Sequence, residues 1–397
     1  MQQKVLFITW DGPQTNYMEG LFLPIFNEIG KKQAVDFHVI QFTWADAAKN
    51  EKVSQLAKAF NIKYTSIKVH RKPSSALGSI CTLFKGIKFL DDYIKKNGIS
   101  IVMPRSTMPA VMVNRLRYKN VKILFDADGL SLEERIDFAG LSPKSKQYLW
   151  LKREETKLLF KADAVITRSQ KAIEIHRKTI DEKYNDKFSV VFNGRDTSFF
   201  EPNESLRLSV RQGLGLDPSD FVFVYCGSLG PQYGWEEMIT VFEKRYLNDP
   251  KTKFLILSGN PEYALQRIPA KLKEAVIVKS IPFDEVPKYL NVADCAFAIR
   301  KPTFSMQGVA PIKLGEYLLM GLPTIASKGI GDTDLILEKV PHCFLFDHCD
   351  ASTIDLAVSF SSEIKNYSSK EEIRNAALHY FSLEKSAESY QTALQKI

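Results

Sequence analysis

Residues 4–13, Lys4-Val5-Leu6-Phe7-Ile8-Thr9-Trp10-Asp11-Gly12-Pro13, decide the fold class. An apolar run this continuous suits a strand buried on both faces, and Asp-Gly-Pro ends it. A helix is expected next, because Asn16 and Glu19 have the spacing of an N-cap and its capping box. Met18, Leu21, Phe22, Ile25, Phe26 and Ile29 supply its apolar face, with Pro24 as a candidate kink. Strand-like runs recur at residues 35–42, 64–69, 100–103 and 121–125, alternating with helix-like stretches at 45–60, 75–97 and 110–118. That alternation predicts an α/β fold, a parallel sheet sandwiched by helices.

Farther along, residues 144–161 read as a basic helix, and 164–167 and 189–192 as two more buried strands. Asn193-Gly194-Arg195-Asp196 reads as a turn, and then the pattern restarts. Strands are expected at 221–226, 254–258, 275–279, 295–299 and 324–326, and helices at 234–244, 284–291 and 311–320. Two α/β wraps of similar size follow, joined near residues 192–202. The active site is expected in a cleft between the two lobes, at the C-terminal ends of the strands.

Composition agrees with two globular domains: 397 residues, 45% hydrophobic and 25% charged, neither disordered nor fibrous. No window approaches the ~20 apolar residues that cross a bilayer, and residues 5–10 fall short of a secretory signal, so a cytoplasmic protein is expected. Five cysteines without a C-x-x-C pair fit a reducing compartment. His342-Cys343 and His348-Cys349 are spaced unlike zinc ligands, and buried side chains flanking a strand at 344–346 are the preferred reading, with no metal. Charge is uneven. Up to residue 190 there are 32 Lys and Arg against 20 Asp and Glu, and beyond it 22 against 26. A polyanion or an anionic membrane surface is the expected neighbour of the basic first half. No nucleic-acid recognition motif accompanies that charge.

Residues 307–323, Gln-Gly-Val-Ala-Pro-Ile-Lys-Leu-Gly-Glu-Tyr-Leu-Leu-Met-Gly-Leu-Pro, carry the most chemistry. They read as one short helix, with Pro311 at its first position, Gly321 just past its end and Pro323 blocking continuation. The amides near Gly308, Val309 and Ala310 would face an anion at the helix N-terminus. Lys313 adds a full charge, and Glu316 can accept hydrogen bonds from ribose hydroxyls. The alternative for Lys313 and Glu316 is a surface i,i+3 ion pair. Arg300, at the end of the 295–299 strand, is placed to pair with a diphosphate, or is a surface arginine. Residues 225–230, Tyr-Cys-Gly-Ser-Leu-Gly, form a small-residue loop that would let a phosphate approach the backbone at Gly227 and Ser228.

In order along the chain, Asn193-Gly194-Arg195-Asp196 with Phe200 and Pro202, Tyr225 to Gly230, Ser258-Gly259-Asn260, and Pro311 to Pro323 with Gly329-Ile330-Gly331-Asp332 resemble the family-four retaining glycosyltransferases. Pro104-Arg105-Ser106, residues 125–135 and residues 162–167 look like the subgroup that builds bacterial surface polysaccharides. The resemblance implies the GT-B architecture, two Rossmann-like domains facing across a cleft. Residues 1–190 would bind the acceptor, 191–380 the nucleotide sugar, and the helix in 381–397 would cross back to the first domain. It implies sugar transfer with retention from a UDP- or GDP-sugar to a glycan or polyprenyl-linked acceptor, with no cofactor and no divalent metal. Glu316 would hold the ribose, Lys313 the diphosphate, and Gly308 to Ala310 the donor sugar and its phosphates. Gly12 would approach the donor from the first domain, and Ile281 to Phe283 would lie near the base. Gly227, Ser228 and Asn260 complete the donor candidates, and Asp11, Asn16, Arg105, Asp126 and Asp128 are the acceptor candidates.

Departures from the family pattern are informative. Gly308 stands eight positions before Glu316, where a second glutamate is common, so donor identity is open. The loop cations are replaced, with Ser228 after Gly227 and Tyr233 before Gly234, and Arg300 is the candidate substitute. Asp128 stands where the subgroup often has an arginine. Arg300 and Lys313 are expected to stabilise the leaving diphosphate, and Asp126 to act on the acceptor proton. Residues 83–90, with Lys95 and Lys96 beyond, alternate apolar and basic side chains as a segment peripheral to the inner face of a membrane would; an ordinary packed helix is the alternative. Rival readings are a nucleotide-sugar epimerase of the same fold and a non-catalytic nucleotide-sugar-binding protein.

Overall fold

The computed structural model describes residues 3–180, 186–364 and 370–397. The chain divides into two compact units: Met1–Gly194 with Leu383–Ile397, and Arg195–Ser382.

The first unit holds strands β1 (Gln3–Asp11), β2 (Val35–Thr43), β3 (Lys63–Lys68), β4 (Ile101–Pro104), β5 (Lys122–Asp128), β6 (Ala164–Thr167) and β7 (Phe188–Val190). They form one sheet in the order β3-β2-β1-β4-β5-β6-β7, every pairing parallel. Alternation along β1 explains its two-sided burial. Leu6 and Ile8 join the core under the helices Ser75–Asn97, Thr107–Val113 and Lys146–Lys161, while Phe7 packs on Phe22 and Phe26 across the sheet. The helix Leu383–Leu394 packs against Leu23–Lys32 in the same unit.

The second unit holds β8 (Phe221–Cys226), β9 (Thr252–Leu257), β10 (Val276–Lys279), β11 (Cys295–Ala298), β12 (Thr324–Ser327) and β13 (Cys343–Phe346), in the order β10-β9-β8-β11-β12-β13, again all parallel. Val222 and Val224 enter one core and Phe221, Phe223 and Tyr225 the other, so β8 is buried on both sides. In each unit the strand order reverses beside the first strand, between β1 and β4 and between β8 and β11. Crevices for ligands open at the carboxyl ends of strands at such points.

Local differences from the sequence reading have identifiable causes. Asn16 does not cap: its Oδ1 accepts from Lys49 Nζ at 2.9 Å, and the Glu19 carboxylate lies 3.8 Å from the same ammonium. The helix instead opens with a π turn, Met18–Phe22, that runs without a break into the α segment Leu23–Lys32, and Pro24, which has no N–H to donate, follows directly on that wider turn. The helix expected over 110–118 is Thr107–Val113, because the Asp91 carboxylate takes the N–H groups of Arg117 and Tyr118. Pro311 is the N-cap of Ile312–Leu319 rather than its first helical residue. In the helix Ser75–Asn97, Leu83, Gly86 and Leu90 are buried, while Leu77, Ile80 and Phe84 are exposed. Helices Ser131–Ala139, Gln170–Ile180 and Glu204–Gly213 lie outside the expected elements, although Asn203 caps the last of them by accepting from Leu206 N.

Candidate functional site

In the second unit, β8 delivers Tyr225 and Cys226 into the loop that begins at Gly227. The Gly227 backbone has φ +133°, and a Cβ there would sit 2.1 Å from Lys313 Cε. Glycine is therefore needed twice, for its conformation and for the path of the lysine. Lys313 Nζ crosses over the loop to donate to Tyr225 Oη at 2.7 Å, with the Ser228 carbonyl at 3.5 Å. It lies 4.4 Å from the Tyr225 ring centroid and 4.1 Å from that of Tyr233, within cation–π range. Burial pulls its pKa down to about 8, and Arg300 adds to that fall. The Tyr225 hydroxyl also donates to the Ser228 carbonyl at 2.6 Å.

Arg300 follows β11. Its N–H donates to Ser327 Oγ at 2.9 Å, and its guanidinium stands 4.9 Å from the Tyr233 ring. Residues 232–234 and 299–301 are tied by backbone bonds, from Gly234 N to the Ile299 carbonyl and from Lys301 N to the Gln232 carbonyl. Two cations thus share one aromatic ring. Among the described residues neither Lys313 nor Arg300 has a carboxylate within 4.0 Å, in contrast to Arg207, which pairs with Asp294. An unneutralised cation pair at a strand-order reversal is a site for an anion with charge on adjacent oxygens.

The remaining donor candidates fall into distinct roles. Glu316 does not pair with Lys313; its Oε1 accepts from Arg195 Nε at 2.9 Å, in a buried ion pair spanning 121 positions. Arg195 also lies 5.6 Å from the ring of Phe283, which is 40% exposed and packs on Phe199 and Phe200. That ring offers an open face for a base. Asn260 is a brace: it accepts from Leu229 N and Ser258 Oγ and donates to the Leu229 carbonyl, fixing the loop after Gly227. Ile281 packs at the margin of the core. Gly308 is buried at the end of a 3₁₀ turn, and the Val309 N–H is spent on the Met306 carbonyl, so Val309 does not offer an amide to a ligand. Ala310 precedes the capping Pro311.

In the first unit, four of the five acceptor candidates converge at the carboxyl ends of β1, β4 and β5. Arg105 Nη2 bonds Asp128 Oδ2 at 2.7 Å, with Asp126 at 3.8 Å and Asp11 at 4.0 Å. Arg168, unremarked in the sequence, donates to Asp126 Oδ2 at 2.8 Å and has the Tyr390 ring 5.9 Å away. The Asp126 side chain is fully buried, its Oδ1 accepting from Asp128 N at 3.0 Å. Burial pushes its carboxyl above the ordinary value against the pull of both guanidinium groups. The carboxylate expected to act on the acceptor proton is thus enclosed between Arg105 and Arg168. Asp128 keeps a side chain 25% exposed, in the left-handed region at φ +62°, beside Ser106 at φ +63°. Both strain and a register shift between Asp126 and Asp128 mark this rim. Asn16 stands apart on Lys49, and a Cβ on Gly12 would meet Trp44 at 2.7 Å, so that glycine serves packing of the loop.

Among the described residues no group of three or more His, Cys, Asp or Glu is arranged to hold a metal ion, and no helix is long and apolar enough to cross a membrane. His348 instead contacts Ser327 Oγ at 2.8 Å, and Cys349 is exposed rather than buried.

Residues 220–359 match the family model described as glycosyl transferases group 1. No curated protein matches the chain. Among solved structures, HepE of Anabaena, determined with UDP-glucose, superposes with a TM-score of 0.71 at 16% identity, covering 99% of this chain and 100% of that one. Sucrose-phosphate synthase of Thermosynechococcus elongatus gives 0.70 at 15%, covering 99% and 98%. The lipopolysaccharide outer core galactosyltransferase WaaB gives 0.66 at 15%, covering 99% of each. The fold is that of the GT-B glycosyltransferases, and most of the second unit matches the group 1 family.

Proposed function

We propose that the chain is a retaining glycosyltransferase that moves a sugar from a UDP- or GDP-sugar to a glycan or lipid-linked glycan, in bacterial polysaccharide assembly. The observation that carries this reading is the pair of cations, Lys313 and Arg300, without carboxylate partners at the end of β8 and β11. The group 1 family match over the same unit supports it. Lys313 and Arg300 bind the diphosphate, Glu316 steadied by Arg195 accepts from the ribose, and Phe283 faces the base. The acceptor is held in the first unit at Asp128, Arg105 and Asp11.

In the reaction the acceptor oxygen bonds to the anomeric carbon while the bond from that carbon to the diphosphate oxygen breaks. The acceptor proton passes to the leaving phosphate, and the two cations take up the charge that develops there. No carboxylate nucleophile is needed, in keeping with Gly308 and with the burial of Asp126.

Exposed apolar side chains on two helices of the first unit support a place at an anionic membrane surface. Leu77, Ile80 and Phe84 lie near Lys85 and Lys88, and Leu149, Trp150 and Phe160 near Lys146, Arg153 and Lys157. Apolar and basic groups interleaved in this way suit the headgroup region.

The test is incubation with labelled UDP- and GDP-sugars and lipid-linked glycan acceptors. Acceptor-dependent release of the nucleoside diphosphate, with the anomeric configuration retained by NMR, is the expected result. Inversion would overturn the retaining assignment. Binding without turnover would leave a nucleotide-sugar-binding protein, and isomerised donor without acceptor an epimerase.

A further inference from the structure

Resting on the donor reading above, we propose that Tyr233 is a positioning residue: its ring gathers Lys313 and Arg300 into one diphosphate-binding pair. Three observations converge on it. Lys313 Nζ is 4.1 Å and the Arg300 guanidinium 4.9 Å from the Tyr233 ring centroid. The ring is 9% exposed and packs edge-on against Tyr225 at 6.1 Å, so it does not wander. The backbone at Tyr233 pairs with Arg300 in an antiparallel bridge, which couples the place of the ring to the strand end that presents the arginine.

Like charges this close repel, and a lysine has several rotatable bonds to lose on binding. The negative face of the ring offsets the repulsion and orders both side chains before the ligand arrives, which lowers the cost of binding. Donors remain for the ligand: of the three protons on Lys313 Nζ, one goes to Tyr225 Oη at 2.7 Å, and the contact to the Ser228 carbonyl is long at 3.5 Å. A cation in place of Tyr233 would add attraction for phosphate but would crowd three positive groups in the empty site. The ring achieves the arrangement with two.

The experiment compares the wild-type full chain with Tyr233→Phe and Tyr233→Leu by titration with UDP and with GDP from pH 6.5 to 9.5. A second readout needs no ligand: the reactivity of the Lys313 amine toward an acylating reagent across the same pH range, by mass spectrometry. Tyr233→Phe keeps the ring and is expected to bind within about threefold of wild type, whereas Tyr233→Leu binds about tenfold more weakly. The leucine variant is also expected to show a lower pH midpoint for both binding and amine reactivity, because the protonated amine has lost its aromatic partner. Equal affinity and an unmoved midpoint in Tyr233→Leu would overturn the proposal, as would a loss in Tyr233→Phe as large as in Tyr233→Leu. If wild type binds neither nucleotide, the donor reading fails, while the amine midpoints still decide whether the ring holds the lysine.

Discussion

The two units place charge at equivalent points of their sheets in opposite ways. In the first, beside β1 and β4, three carboxylates gather around two guanidinium groups: Asp11, Asp126 and Asp128 around Arg105 and Arg168. In the second, beside β8 and β11, Lys313 and Arg300 meet tyrosine rings and no carboxylate. A self-paired cluster is complete without a ligand and holds its shape, leaving one strained carboxylate, Asp128, at its rim. An unpaired cation pair is incomplete and gains most when an anion enters. The same fold position therefore carries a self-paired charge cluster in one unit and an unpaired cation pair in the other.

Breaking the paired cluster gives the largest expected effect. Arg168→Ala removes the nearest cation from the buried Asp126, leaving only Arg105 at 3.8 Å, and is expected to destabilise the first unit by about 3 kcal/mol in urea denaturation. UDP affinity of the folded variant stays within about threefold of wild type if the two regions are independent. Lys313→Ala reverses the pattern. UDP affinity falls about 10- to 150-fold, from losing a charged hydrogen-bond partner worth about 1.5–3 kcal/mol, while thermal stability holds or rises because a repelling neighbour of Arg300 is gone.

A smaller effect follows from pH. With the folded Lys313 near 8 and its ordinary value 10.5, the unfolded chain holds a proton across that interval that the folded chain has released. Stability contributed by this lysine therefore rises from about pH 8 to about pH 10.5, whereas UDP affinity falls about tenfold between pH 7 and pH 9. Paired titrations of wild type and Lys313→Ala at those pH values check it, since the alanine variant loses the pH response. Smallest is the stability change in Asp128→Asn, expected within about 1 kcal/mol because asparagine tolerates the left-handed region. Sugar transfer by that variant falls severalfold or more, with UDP affinity unchanged, which separates the rim carboxylate from its scaffold.

Most strands were legible because they are short apolar runs closed by a turn, as at residues 4–13 and 221–230, whereas β3, Lys63–Lys68, is polar and half-exposed at the sheet edge. The helix Ile312–Leu319 was legible from its own punctuation, Pro311 before it and Gly321 after. Partnerships were not. Arg168 meets Asp126 across 42 positions and Arg195 meets Glu316 across 121, and no local pattern marks either arginine. The i,i+3 spacing of Lys313 and Glu316 suggested a mutual ion pair, but a helix spacing does not tell that one side chain folds over a glycine loop and the other turns to a distant arginine. The loss of loop cations at Ser228 and Tyr233 was visible in the sequence, and could have pointed to the aromatic ring as their replacement. The capping box at Asn16 and Glu19 failed for the same reason, since Lys49 lies 33 positions beyond Asn16.

A cation pair built for a nucleoside diphosphate must bind one. The decisive measurement is isothermal titration of the intact chain with UDP and GDP at pH 7, with Lys313→Ala and Arg300→Ala beside wild type. Micromolar binding of at least one nucleotide, weakened in both variants, is the predicted result. Binding to wild type that neither variant reduces, or no binding of either nucleotide, would contradict it.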